Sequence, residues 1–216
     1  MLMTDGEITS ALAAGKMAIE PFDKDSLEPC SYDAHLGKQA LVSRDYRLID
    51  TAKENSVRLA AGDFALIMTE ESFRLPLNMA GHIGMKSELA RRGLVLLAGM
   101  QIDPGFEGHL RLGLYNASGR PITIDHLDPI CSIEFHALSK EATRGVGIFP
   151  ELKDGRIPEA DKAFLRELES TSLSEMAQNL RTLSDHVRTL TTITYKFILP
   201  LIVAILAGVV VTVLRR

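Results

Sequence analysis

The sequence predicts a mainly β domain, an all-β barrel or jelly-roll-like sheet opened by a helix, followed by a long coiled-coil helix and a single C-terminal transmembrane helix. Three observations carry that expectation. After Pro29, apolar residues alternate or run for five to eight positions between Gly, Pro, Asn and Asp, and many short strands with near-regular turns favour a barrel or jelly roll over βαβ units. Leu173, Met176, Leu180, Leu183, Val187, Leu190 and Thr194 then fall at spacings of 3, 4, 3, 4, 3 and 4, the apolar seam of a coiled coil. Finally, FILPLIVAILAGVVVTVL, residues 197–214, is an eighteen-residue run without a charge, and as a helix it would span about 27 Å, close to the hydrocarbon core of a bilayer.

Each element has a local reason. In TDGEITSALAAGK, residues 4–16, Thr4 can cap a helix, Glu7 stands three residues on, and Ile8, Leu12 and Ala13 form a stripe that Gly15 ends. The strand candidates follow as LVSRDYRLID, SVRLAAGDFALIMT, FRLPLNMAGHIGM, GLVLLAGMQID, HLRLGLYN, RPITIDHL and PICSIEFHAL. The expected β domain covers residues 1–142. A linker over 143–158 contains RGVGIFPELKDG, and Pro158 suits the start of an amphipathic or coiled-coil helix over 159–195. Alternatively, that helix packs singly on the domain or on a surface. The anchor is placed at 196–214, with the N-terminal domain on the cytoplasmic side.

Composition excludes several functions. The 216-residue chain carries a net charge of −4 and its 24 basic residues are scattered, so a nucleic-acid polymer is not an expected partner. Cys30 and Cys131 form no CxxC pair, and the six histidines are isolated along the sequence, so no zinc ligand set is visible. No protein-held metal is expected.

Polar residues cluster in three places: Ser31-Tyr32-Asp33, the turn Lys86 to Gly93, and Gln101 to Gly108, where Asp103 precedes Pro-Gly. Spacing alone leaves two readings open, a shared site or three ordinary turns and surface charges.

The succession SYDAHLG, AGDFALIMTEESFRLP, KSELARRGL, QIDPGFEGHLRLGLYN and SIEF resembles the dCTP deaminase branch of the trimeric dUTPase superfamily, over residues 1 to about 138. The resemblance implies a distorted jelly-roll, a dUTPase-like β-barrel, that forms a homotrimer. It also implies a deoxynucleotide triphosphate of the dUTP/dCTP class bound at subunit interfaces, with Mg²⁺ on the phosphates. Ser87 and Arg91 match phosphate-contacting positions, Lys86 replaces an Arg there, and Gln101 and Asp33 complete the expected binding set. Lys keeps the charge of Arg without its bidentate fork. Asp103 stands where dUTP pyrophosphatases orient the attacking water, and is the candidate catalytic residue.

The departures from that family are as informative. Gly113 occupies the position of the deaminase general acid–base Glu, and loss of such a group lowers the rate by about 10² to 10⁴. Glu88 replaces a Ser near the phosphates, and Ser132 replaces a Gln. The sequence therefore favours a membrane-anchored trimer that binds a deoxynucleotide without deaminating it, as a sensor or scaffold. Two alternatives stand beside it: a Mg²⁺-dependent dUTP pyrophosphatase using Asp103, and a structural platform for a membrane-disrupting effector.

Overall fold

The computed structural model describes residues 1–97, 99–146, 150–167 and 173–198. The chain divides into two units, Met1–Ser170 and Thr171–Arg216. In the first unit, helices α1 (Asp5–Ala13), α2 (Thr51–Glu54) and α3 (Ser87–Arg91) punctuate twelve strands. These are β1 (Ala18–Glu20), β2 (Leu27–Glu28), β3 (Ser31–Val42), β4 (Arg47–Asp50), β5 (Ser56–Leu59), β6 (Phe64–Arg74), β7 (Met79–Met85), β8 (Leu94–Leu96), β9 (Gln101–Ile102), β10 (Glu107–Asn116), β11 (Ile122–Asp125) and β12 (Pro129–Ala137). The mainly β expectation agrees with this architecture.

Ten of these strands join one antiparallel sheet in the order β8-β10-β6-β3-β12-β7-β9, with β1 on β6 and both β2 and β4 on β3; β11 and β5 pair separately. The sheet curls because β3 belongs to two neighbourhoods. Its first half pairs with β12 and its second half with β6, and the β6 register slips between Leu36 and Ala40. Gly37 sits inside that slip, where a Cβ would lie 2.5 Å from the Thr69 carbonyl oxygen. Only a residue without a side chain lets the two backbones approach so closely.

The inward positions close on one another. Tyr32, Leu36, Ile67, Met68, Phe73, Leu112, Leu114, Ile133 and Phe135 form the centre of a continuous apolar core. The capping box of α1 forms as its sequence suggests, since the Thr4 Oγ accepts from the Glu7 amide at 3.4 Å and Glu7 accepts from the Thr4 amide at 2.9 Å. Its buried stripe is Ile8 and Ala11, with Leu12 partly buried.

Beyond β12 the chain continues onto the same domain. Helices α4 (Pro150–Lys153) and α5 (Glu159–Glu167) contribute Leu152 and Leu165 to the core, and Ile157 between them is 2% exposed. Ion pairs Lys153–Glu107 (2.7 Å) and Arg111–Asp161 tie this segment to β10.

The second unit contains helix α6 (Leu173–Ile193) and a π-helical turn over Thr194–Ile198. Two expectations are corrected here. Among the described residues no long coiled-coil helix is found: the described parts of the expected 159–195 helix are α5 and α6, and the seam residues Leu183, Val187 and Leu190 are 60%, 55% and 63% exposed. Three short heptads supply too little apolar seam to dictate a partner. Among the described residues, no helix is long and apolar enough to cross a membrane, because α6 carries Glu175, Arg181, Asp185 and Arg188. The expected span at 196–214 lies outside the described residues from 199 onward. The described residues thus give no support to the expected single-pass membrane location or to a lipid bilayer partner.

Candidate functional site

The central strands place a polar group of residues on one face. Ser132 on β12 pairs with Asp33 on β3 and with Gly84 on β7; two residues further, Glu134 pairs with His82, and His82 pairs with Gln101 on β9. Residues directly opposite share a face, and alternate residues along a strand return to it. Asp33, Ser132, Glu134, His136, His82 and Gln101 therefore share one side of the sheet. Ile133, Phe135 and Ile83 point to the other, where they are buried.

Asp33 is the hub of one end of this face. It is 7% exposed, one of its oxygens accepts the Ser132 hydroxyl at 2.6 Å, and the other holds the Lys86 ammonium in an ion pair. Both carboxylate oxygens are thus satisfied within the fold, as a buried charge requires. Lys86 directly follows β7, and its amide donates to the Ile130 carbonyl at 3.3 Å. The next residues form α3, where Arg91 donates to Ser87 Oγ at 3.3 Å and both side chains are exposed. Glu88 is exposed on the same turn. This end offers one ammonium, one guanidinium and one hydroxyl on consecutive turns, a surface suited to phosphate oxygens.

Asp103 lies elsewhere. It follows β9, whose Ile102 opposes Gly81 on β7, and the Gln101 side-chain amide donates to its carboxylate at 2.8 Å. The turn closes through the Phe106 amide on the Asp103 carbonyl, 3.2 Å, with Gly105 at φ +78°. Asp103 is thereby set at one end of β7 and Lys86 at the other, six residues apart along the strand, about 20 Å. Within one chain the fold joins Lys86, Ser87, Arg91 and Asp33, and separately joins Gln101 and Asp103. It does not bring these two groups together.

Gly113 sits on β10 between β6 and β8, with its carbonyl accepting the Leu97 amide at 2.7 Å. A Cβ there would meet the Leu97 carbonyl oxygen at 2.7 Å and the Phe64 ring at 3.0 Å. The space beside Gly113 is filled by backbone and by an aromatic edge.

One buried pairing beside the site was not legible in the sequence. Glu71, 2% exposed, accepts the His35 amide at 2.9 Å and pairs with the His35 ring, whose far nitrogen lies 3.3 Å from Ser26 Oγ. The Glu71 carboxylate, outweighing burial, holds the His35 imidazole above its ordinary value. Tyr32 is stacked on Phe22, and burial pushes its phenol up to about 12. Thirty-six positions separate His35 from Glu71, so only the β3–β6 neighbourhood could reveal this pair.

Comparison with known proteins follows the same lines. A family model described as dCTP deaminase-like matches residues 2–138. A dCTP deaminase of Pyrococcus horikoshii is 38% identical over 135 residues, which cover 62% of this chain and 81% of the relative. A dUMP-forming dCTP deaminase of Mycobacterium marinum is 29% identical over 191 residues, covering 79% of this chain and 100% of the relative. Among solved structures, the 2′-deoxycytidine 5′-triphosphate deaminase from Agrobacterium tumefaciens has a TM-score of 0.55 at 22% identity, covering 62% of this chain and 47% of that one. That last likeness concerns the fold, over about half of the length of the Agrobacterium chain.

Proposed function

Because the chain belongs to the dCTP deaminase-like family, we propose that it binds a deoxynucleoside triphosphate through Lys86, Ser87 and Arg91 without deaminating it, as a nucleotide sensor or scaffold. The observation that supports this reading is the packing at Gly113. Where the resemblance expects the general acid–base carboxylate, the Leu97 carbonyl and the Phe64 ring leave no room for any side chain.

Asp33 orients Lys86, and Gln101 orients Asp103. The separation of these two groups along β7 favours a site shared between copies, consistent with a homotrimer in which one chain supplies the phosphate cradle and another supplies Asp103. Mg²⁺ fits here as a cation carried by the nucleotide. Asp33 has no free oxygen to give it, and Glu88, exposed beside the cradle, would repel a triphosphate that arrived without a counterion.

A second reading rests on Asp103. Its carboxylate is exposed and oriented by Gln101, as a base that accepts a proton from water attacking a phosphate must be. The experiment assays the full-length chain with dUTP, dCTP and dTTP in Mg²⁺ for ammonia, pyrophosphate and thermal shift. The proposal expects a rise in Tm without ammonia. Ammonia released from dCTP would overturn it, whereas pyrophosphate that disappears in Asp103→Asn would establish the second reading.

A further inference from the structure

We propose that His82, Glu134 and His136 form a binding site for one divalent transition-metal ion of the Zn²⁺ class, separate from the phosphate cradle. The three side chains each offer one ligand atom, and these atoms all lie within 4.8 Å of one another. The strand register accounts for the grouping. His82 on β7 stands directly opposite Glu134 on β12, and His136 returns to the same face two residues on. The His82 and His136 rings meet edge to face with centroids 5.3 Å apart.

A second observation points to a ligand. The His136 Nε2 is buried and, among the described residues, has no hydrogen-bond partner; the Glu134 carboxylate stands 3.5 Å away. A buried ring nitrogen that makes no hydrogen bond carries a desolvation cost that a metal ion would offset. Tetrahedral Zn²⁺, with ligands at about 2.0–2.1 Å, sets its donor atoms about 3.3 Å apart. The Glu134–His136 separation is already close to that value, and rotation of the exposed His82 ring can supply the remaining contraction.

The donor set selects the ion. Two imidazoles and one carboxylate suit Zn²⁺, Co²⁺ or Ni²⁺, whereas Mg²⁺ and Ca²⁺ favour all-oxygen shells. Three protein ligands leave a fourth position for water. The site bridges β7 and β12 and faces Gln101 on β9, the residue that holds Asp103. An ion there would clamp β7, which leads into Lys86, to β12, which carries Ser132, and would place positive charge beside the Asp103 edge of the sheet.

The test is calorimetric titration of the full-length, untagged protein with Zn²⁺ alone, paralleled by the visible absorption of Co²⁺. The expected result is one ion per chain, with His82→Ala and Glu134→Gln each weakening the affinity at least about tenfold. Both residues are exposed, so neither change removes core packing. Absence of Zn²⁺ binding by the wild type, or unchanged stoichiometry and affinity in both variants, would overturn the proposal.

Discussion

Lys86 and Asp33 form an ion pair in which the carboxylate is 10% and the lysine side chain 25% exposed, and Ser132 occupies the carboxylate's other oxygen. The cation of the candidate cradle is therefore held in place by the fold itself. A phosphate bound there, as proposed, would share Lys86 with Asp33.

This arrangement makes Lys86 and Asp33 energetically dependent on one another. Asp33→Asn leaves the ammonium without its charged partner and is expected to lower stability by about 1–3 kcal/mol. The double variant Asp33→Asn/Lys86→Gln should lose less than the sum of the single changes, with a coupling of about 1 kcal/mol in urea denaturation. Additive losses would show that the pair is not coupled.

Restoring a carboxylate at Gly113 is expected to fail. Any Cβ collides with the Leu97 backbone, and backbone shifts of that kind cost about 1–3 kcal/mol. Gly113→Ala and Gly113→Glu should both lower the urea midpoint, and Gly113→Glu should release no ammonia from dCTP. Deaminase activity in a stable Gly113→Glu protein would contradict this account of the strand.

The His35–Glu71 pair predicts a pH dependence of defined sign. Since the folded-state value of His35 is raised above 6.5, its contribution is fully present below about pH 6.5 and is lost as pH rises through the folded value. The Tm of the wild type should therefore fall relative to that of His35→Ala between pH 6 and pH 8, with both kept at one ionic strength. Parallel Tm profiles would exclude the pair as the cause.

Residues beyond β12 are expected to stabilise the domain. Leu152, Ile157 and Leu165 are 9%, 2% and 2% exposed, and Ile157→Ala should cost about 2–4 kcal/mol, as deletions of buried aliphatic side chains do. A chain ending after residue 142 should melt well below one ending after residue 170, as differential scanning calorimetry would show. Equal melting temperatures would mean that α4 and α5 contribute no stability.

Much of the β domain could be read in advance because its causes are local. Thr4 and Glu7 announce α1, and turn residues separate segments whose alternation survives as strands. The grouping of Lys86, Ser87 and Arg91 was legible because they lie within six residues of one another, while their phosphate role is what the family resemblance implies. What could not be read depends on register. The histidine cluster is drawn from positions 82 and 136, and their union requires β7 to lie beside β12 with Glu134 opposite His82. The same limit hid Glu71 behind His35, and hid the filled space at Gly113, which Phe64 on β6 and Leu97 just past β8 create. The apolar periodicity of residues 173–194 misled for the opposite reason: a short seam is compatible with several environments, and α6 leaves Leu183, Val187 and Leu190 exposed.

The distance between Lys86 and Asp103 along β7 has a genetic consequence if copies of the chain share sites. A chain disabled at position 86 and one disabled at 103 carry complementary defects, so mixing them should regenerate intact sites that neither has alone. Random exchange at equal amounts would restore about one quarter of the sites in a cyclic trimer. Two inactive alleles expressed together would then rescue one another, while either allele doubled would not.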